Sequence, residues 1–424
     1  MHAFRSVTIA TSVVALAAAG LVVMASPATA QPCGNPGTGS SGFGSSGLGS
    51  SGSSGSSGLG SSGGQSPKGP QGALPIIPSA NTKAIEWVTG PRSKNSTFDR
   101  FGISGTDLGI SWDNGSGQIL MAFGDTFGNC AVAGQEWRHN VLLRSDDTDL
   151  SNGITVPDAV PGDVGSGSVV TPDRPDFARE LIPATGLDYI EITTIPTAAI
   201  SIGNTQYINY MSVRTWGNPG QWVTNFSAIS VSHNNGQTWT TATNTIRVNV
   251  DVALPGVRQV QQGNDKFQMN AYLKGNDGYI YQYGTPNGRF GAAYLARVRP
   301  TDILDLTKYE YYTNNAAQPW SAESVDLKPV APQPVSELSV AWNAYLGRYL
   351  MLYTSDPAGG LVMRTAEKPE GPWSGTKLLV PASGLGGIYA PYIHPSSSGK
   401  DLYYTTSVWK DYNVMLLRTD LDRI

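Results

Sequence analysis

The chain has 424 residues, a formal net charge of −4 and only 14% charged residues. No basic residues cluster, so nucleic acid is a poor candidate partner. A weakly charged sequence rich in Tyr, Trp, Asn, Gln and Thr suits neutral polar ligands such as glycans, and a monomer is expected.

Residues 1–30 carry one Arg, an apolar run from Val13 to Met24, and Ala28-Thr29-Ala30. This is the pattern of a secretory signal peptide with its cleavage site. The apolar run is short for a membrane span, which leaves a retained anchor as the lesser alternative. A secreted or cell-envelope protein with no membrane span in the mature chain is expected. Residues 31–80 are expected to be a Gly/Ser-rich disordered linker. The tract from Gln31 to Gly72 has too little apolar surface to offset its ordering entropy. Two cysteines, Cys33 and Cys130, fit an oxidising compartment and could form one disulfide, a pairing that rests on parity alone.

Residues 81–424 read as short strands separated by turn signals, with no helical periodicity of useful length. They group into five sets: Ile103–Trp112, Gln118–Asp125, Asn140–Asp146 and Ile154–Val160; Ile192–Ile202, Gln206–Trp216, Phe226–His233 and Trp239–Val248; Phe267–Leu273, Tyr279–Gly284, Ala292–Arg299 and Tyr309–Thr313; Glu337–Asn343, Arg348–Thr354, Leu361–Ala366 and Lys377–Val380; Ile388–His394, Leu402–Trp409 and Val414–Thr419. The last set is one strand short. Ala84–Val88, unpaired at the other end of the domain, can complete it. The prediction is an all-β, five-bladed β-propeller whose N-terminal strand closes the last blade. A two-sheet sandwich is the alternative, although about twenty strands are too many for one. Within the second set, Ser232 to Trp239 (SHNNGQTW) resembles the Asp-box hairpin of sialidase-like propellers, with Asn234 where Asp is usual. It is read as a folding device.

Asp107 lies on the innermost strand of the first blade and Asp125 ends the second, in the tight turn GDTFG. Adjacent antiparallel strands can bring both to one funnel mouth. Two carboxylates in a partly dry, concave site are what glycosidic cleavage requires, one protonated and one ionised. Either could instead be a turn acceptor. Which would be the acid stays open, although Phe123 and Phe127 beside Asp125 favour it. Asp113, next to Asn114-Gly115, is a hairpin-turn residue. Glu337, opening the first strand of the fourth blade, is a candidate third carboxylate or the partner of a neighbouring Arg. Trp137, Arg138 and Asn140 are candidate substrate-binding residues, since Trp can stack on a sugar face while Arg and Asn bond its hydroxyls. Tyr392 joins them. The histidines are scattered and no zinc pattern exists. Turns such as Gly275–Gly278 are read as turns rather than calcium loops. No metal or cofactor is expected.

The stretches GTDLG, FGDTFG and WRHNVLLRSDD, with YAPYIHP, LYYTTSVW and YNVMLLRTDL late in the chain, resemble the family known as domain of unknown function 4185. That family includes actinobacterial endo-D-arabinanases, glycoside hydrolases that cut the D-arabinofuranose chains of arabinogalactan and lipoarabinomannan. The resemblance spans roughly Ala84 to Ile424. It implies a five-bladed propeller with paired catalytic aspartates, falling here on Asp107 and Asp125. His139 departs from it, standing where a small residue is expected. The competing function is a non-catalytic glycan-binding propeller of the cell envelope, which needs the aromatic funnel but not the paired carboxylates.

Overall fold

The computed structural model describes Cys33, residues 66–187 and residues 189–424. The expected signal peptide and most of the Gly/Ser tract lie outside the described residues. Among the described residues, no helix is long and apolar enough to cross a membrane.

Strand β1 (Thr82–Trp87) precedes five antiparallel sheets that follow one another along the chain. The first sheet holds β2 (Leu108–Asp113), β3 (Ile119–Phe123) and β4 (Val141–Ser145). The second holds β5 (Thr193–Ile202), β6 (Thr205–Trp216), β7 (Trp222–Ser232) and β8 (Thr240–Val248). The third holds β9 (Met269–Lys274), β10 (Ile280–Thr285), β11 (Gly291–Val298) and β12 (Glu310–Tyr312), with β13 (Trp320–Ser321) beyond β12 and β14 (Ala331–Val335) also paired to β11. The fourth holds β15 (Leu338–Asn343), β16 (Arg348–Ser355), β17 (Gly360–Ala366) and β18 (Lys377–Pro381). The fifth holds β19 (Ile388–Ile393), β20 (Asp401–Val408) and β21 (Asn413–Asp420).

The first strand of each sheet packs on the first strand of the next: β2 on β5, β5 on β9, β9 on β15, β15 on β19, and β19 back on β2. This closed ring is a five-bladed β-propeller. Because each blade opens with its innermost strand, the N-terminal ends of those strands gather at one mouth. Blades are covered on both faces, so strands such as Ile119–Phe123 are buried at every residue and read as continuous apolar runs. The core lies between blades. Met121, Val141 and Leu143 of the first blade pack with Val414 and Leu416 of the fifth.

As expected, the N-terminal strand closes the ring. β1 pairs antiparallel with β21, from Thr82 opposite Thr419 to Trp87 opposite Met415. The Asp-box resemblance also holds as a folding device. Ser232 Oγ accepts from the Gly236 N–H at 2.9 Å, and Asn234 Oδ1 from the Thr238 N–H at 3.0 Å. The buried Trp239 indole donates to Gly236 O at 3.0 Å.

The first blade differs from expectation. Ile154–Val160 is not a strand, and the edge of β4 meets the chain only at a bridge from Leu143 to Ser168. Pro157 cannot donate to a ladder. Side chains take the neighbouring backbone groups instead: Asn95 Oδ1 accepts from Val156 N–H at 2.9 Å, Asn95 Nδ2 donates to Ile154 O at 2.8 Å, and Ser145 Oγ donates to Thr155 O at 2.7 Å. A short helix, α1 (Thr97–Phe101), occupies chain that the sequence pattern did not mark as helical.

Cys33 is disulfide-bonded to Cys130, with Cα atoms 5.2 Å apart. Residues 66–80, assigned to the linker from composition, run against the propeller without regular structure. Cys130 N–H donates to Pro67 O at 2.9 Å, Gly72 N–H to Asp411 at 2.6 Å, and Ile77 is buried beside Trp87.

Candidate active site

Asp107 immediately precedes β2, and Asp125 lies two residues beyond β3. Around them stand groups from the openings of other inner strands: Thr193 of β5, Glu337 before β15, and Tyr389 of β19. Arg289, before β11, and Tyr412, before β21, complete the set. Topology alone gathers most of these residues at one mouth.

Two bulges aim the Asp107–Tyr389 contact. In β2 the register slips between Leu108 and Ile110, and Leu108 and Gly109 both have positive φ, 73° and 81°. Left-handed backbone at a buried Leu costs on the order of 1–3 kcal/mol. The Leu108 N–H is held by Ser407 Oγ at 2.8 Å. In β19 the register slips between Tyr389 and Tyr392, with Ala390 at φ 53°. Bulges of this kind re-aim side chains beside functional sites. Gly124 is required for space: a Cβ there would fall on Asp107 Oδ1.

The two aspartates are half-buried but solvated differently. Tyr389 donates to Asp107 Oδ2 at 3.0 Å, while Oδ1 is buried and has no hydrogen-bond partner among the described residues. Asp125 accepts from Thr193 Oγ1 at 2.6 Å, and Trp137 is among the side chains that lower its pKa. A carboxylate oxygen without a donor is costly to charge, so Asp107 is the harder of the two to ionise. Burial, followed by the adjacent Asp125 charge, pushes Asp107 up to about 8. Burial also raises Asp125, to about 6, opposed by the Thr193 bond and by His139. The phenylalanines beside Asp125 therefore do not make it the more easily protonated group. Supply of donors outweighs apolar neighbours. Near neutral pH one carboxyl is protonated and the other ionised, the division of labour that acid/base chemistry needs.

Glu337 is 9% exposed and gripped by Arg289, whose Nε and Nη2 lie 3.1 and 2.9 Å from its two oxygens at their nearest. The Arg289 guanidinium also sits over the Tyr389 ring, 4.6 Å from its centroid. Glu337 is thus the arginine-paired carboxylate rather than a free acid. Tyr392 is 4% exposed, next to Glu337 and Asp107, its phenol held well above the ordinary value by burial. Trp137 is 37% exposed, and Trp409, 41% exposed, packs edge-on to both Tyr389 and Tyr412. These two indoles give the mouth flat apolar faces.

Arg138 and Asn140 do not face the mouth. The Arg138 guanidinium donates to Ala178 O and Gly102 O at 2.7 and 2.6 Å and lies on Phe177. Asn140 is fully buried. It accepts from the N–H groups of Leu181 and Ile182 and donates to Thr194 O at 2.9 Å. Both turn inward, where they pin the Ala178–Ile182 segment to blades one and two. Asn140→Ala should lower stability by ~3 kcal/mol through unsatisfied buried backbone groups and leave KM unchanged. Thermal melts and steady-state kinetics would check this, since a substrate ligand would raise KM instead.

Sequence reasoning missed Arg289, Tyr389, Thr193, Tyr412, His139 and Glu180 as site residues. Among the described residues, no cluster of three or more His, Cys, Asp or Glu side chains has the arrangement of a metal site.

A family model matches residues 92–418, nearly the whole propeller. The chain belongs to the family described as Domain of unknown function (DUF4185). This DUF4185 chain is 30% identical over 326 residues to Notoamide biosynthesis cluster protein J of Aspergillus sp. (strain MF297-2), an alignment covering 73% of this chain and 81% of that protein. It is 28% identical over 322 residues to protein J' of Aspergillus versicolor, covering 73% and 82%. Among solved structures, a candidate hydrolase of Bacteroides ovatus ATCC 8483 is similar with a TM-score of 0.52, at 17% identity, over 76% of this chain and 88% of that one. That likeness shows a shared fold.

Proposed function

We propose that this DUF4185 protein is a secreted glycoside hydrolase that cleaves D-arabinofuranosyl linkages in mycobacterial-type cell-wall arabinan, within the chain rather than at its ends. The observation that carries the hydrolase reading is the aspartate pair: two coupled carboxyls at one mouth, poised on opposite sides of neutrality. The arabinan substrate is supported by the motif resemblance and by the exposed indoles that flank the pair.

In this reading Asp107 is the general acid. Its proton passes to the glycosidic oxygen as the bond from that oxygen to the anomeric carbon breaks. Asp125, as carboxylate, either forms the new bond to the anomeric carbon itself, a bond that water then hydrolyses, or takes a proton from a water whose oxygen forms that bond. Arg289, neutralised by Glu337, holds Tyr389 against Asp107 and keeps a net positive charge out of the site.

The test is product analysis. Purified arabinogalactan incubated with the protein should release D-arabinofuranosyl oligosaccharides of several lengths. Release of monosaccharide alone would refute internal cleavage. Binding without any release would replace the hydrolase by the glycan-binding reading.

A further inference from the structure

Behind Asp125 lies a group of side chains that the proposed reaction does not use. His139 Nδ1 is 2.6 Å from Glu180 Oε2, and the His139 backbone N–H donates to the same oxygen at 3.0 Å. Glu180 therefore fixes His139 at two points. The imidazole lies against Trp137, ring centroids 4.4 Å apart, and both side chains act to lower the Asp125 carboxyl. Glu180, His139 and Trp137 thus form one contiguous group beside the carboxylate.

We propose that the Glu180–His139 pair is a positioning element that aims Trp137 at Asp125 and keeps Asp125 in its carboxylate form. This rests on the role given to Asp125 above. Glu180 is 32% and His139 15% exposed, so the pair is only partly screened by solvent. Burial acts to raise the Glu180 carboxyl, yet the His139 bonds, with Arg138 behind them, hold it below the usual range. A charged Glu180 requires the proton on Nδ1, which fixes the orientation of the imidazole. The charged and titratable groups facing Asp125 are then Asp107 from the first blade, Tyr412 from the fifth, and His139 and Glu180 from the loops after the first blade's β3 and β4. Of these, His139 is the one that favours the ionised form.

His139→Phe keeps a ring against Trp137 and removes the charge and the Glu180 bond. The experiment is 13C NMR of the full protein labelled at aspartate carboxyl carbons, with Asp125 assigned by the signal lost in Asp125→Asn. The Asp125 midpoint should lie near 6 in the parent. It should move up by about one pH unit in His139→Phe, the size expected for removing a nearby opposite charge. His139→Gln, also uncharged, should give the same upward move and serves if the Phe variant does not fold. An unmoved midpoint in a folded variant overturns the proposal, because a merely structural histidine would not shift it. The titration needs no substrate. If the parent hydrolysed nothing and the midpoint still moved, the hydrolase reading would fall and the positioning pair would stand.

Discussion

Asp107→Asn and Asp125→Asn should each lower kcat on D-arabinan by about 10³-fold, within the range for loss of a general acid or base, while the propeller stays folded. In Asp107→Asn the amide can still accept from Tyr389, but it has no proton to give the leaving oxygen. In Asp125→Asn the proposed nucleophile or base is gone. In the parent, kcat/KM should follow a bell, because the proposed reaction uses Asp125 ionised and Asp107 protonated. The acid limb lies near 6 and the basic limb near 8, as apparent values of the coupled pair. The stability effect runs the other way. Both folded values are raised above the ordinary carboxyl value of 3.8. The native state therefore binds more protons than the unfolded one over this range. That contribution is present below about 4 and is lost as pH rises through 6 and then 8. Asp107→Asn removes a charge that the fold accommodates poorly, so its Tm should exceed that of the parent at pH 8.5 and match it at pH 4. Inactive variants with a lower Tm at high pH would mean that the aspartates hold the turn together instead of serving chemistry.

The fold was legible in the sequence because blades repeat a simple pattern. Short apolar runs between Gly-, Asn- and Pro-rich turns mark strands, and the shortfall of one strand at the C-terminus pointed to β1. The place where this reading failed, Ile154–Val160, has strand-like composition, but its backbone groups bond to side chains of Asn95 and Ser145 that lie far away in sequence. Nothing local records that. The aspartates were legible for a related reason: they interrupt apolar strands at strand ends. The same rule, applied to every inner strand, would have found Thr193 and Tyr389, each at or near the opening of its blade. It could not have found Arg289, which enters from the third blade to meet a glutamate 48 residues away. Nor could it have separated Trp137, which faces the mouth, from Arg138 and Asn140, which face the core. Those three are consecutive or nearly so, and their directions depend on the bridge between Thr126 and Arg138. The order of acidities was not legible, because apolar neighbours are visible in sequence and hydrogen-bond donors from other blades are not.

Removal of residues through Val88 should unfold the whole propeller rather than trim its edge. Trp87 is 3% exposed and Val88 fully buried, and Thr82 Oγ1 and Thr419 Oγ1 are 2.7 Å apart across the β1–β21 pair. Burying one large apolar side chain contributes roughly 1.5–3 kcal/mol. Losing Trp87, Val88 and Ile77 together thus takes away an amount comparable with the ~5–15 kcal/mol net stability of a domain. The damage would not stay local. β21 is the strand on which β1 lies, and its Val414 and Leu416 are shared with the core of the first blade. Val414 also stands against Gly109, in the bulge that aims Asp107. An exposed β21 edge would in addition invite pairing between molecules. The expected result is a protein recovered only as aggregate, or with no cooperative melt. A graded version is available in Trp87→Ala, expected to cost ~3–5 kcal/mol as a large-to-small change in a core, and to lower Tm with the catalytic pH limbs unmoved. If the truncated chain melted at the temperature of the parent, closure by β1 would not be what holds the ring, and the fifth blade would have to be stable with β21 as its own edge.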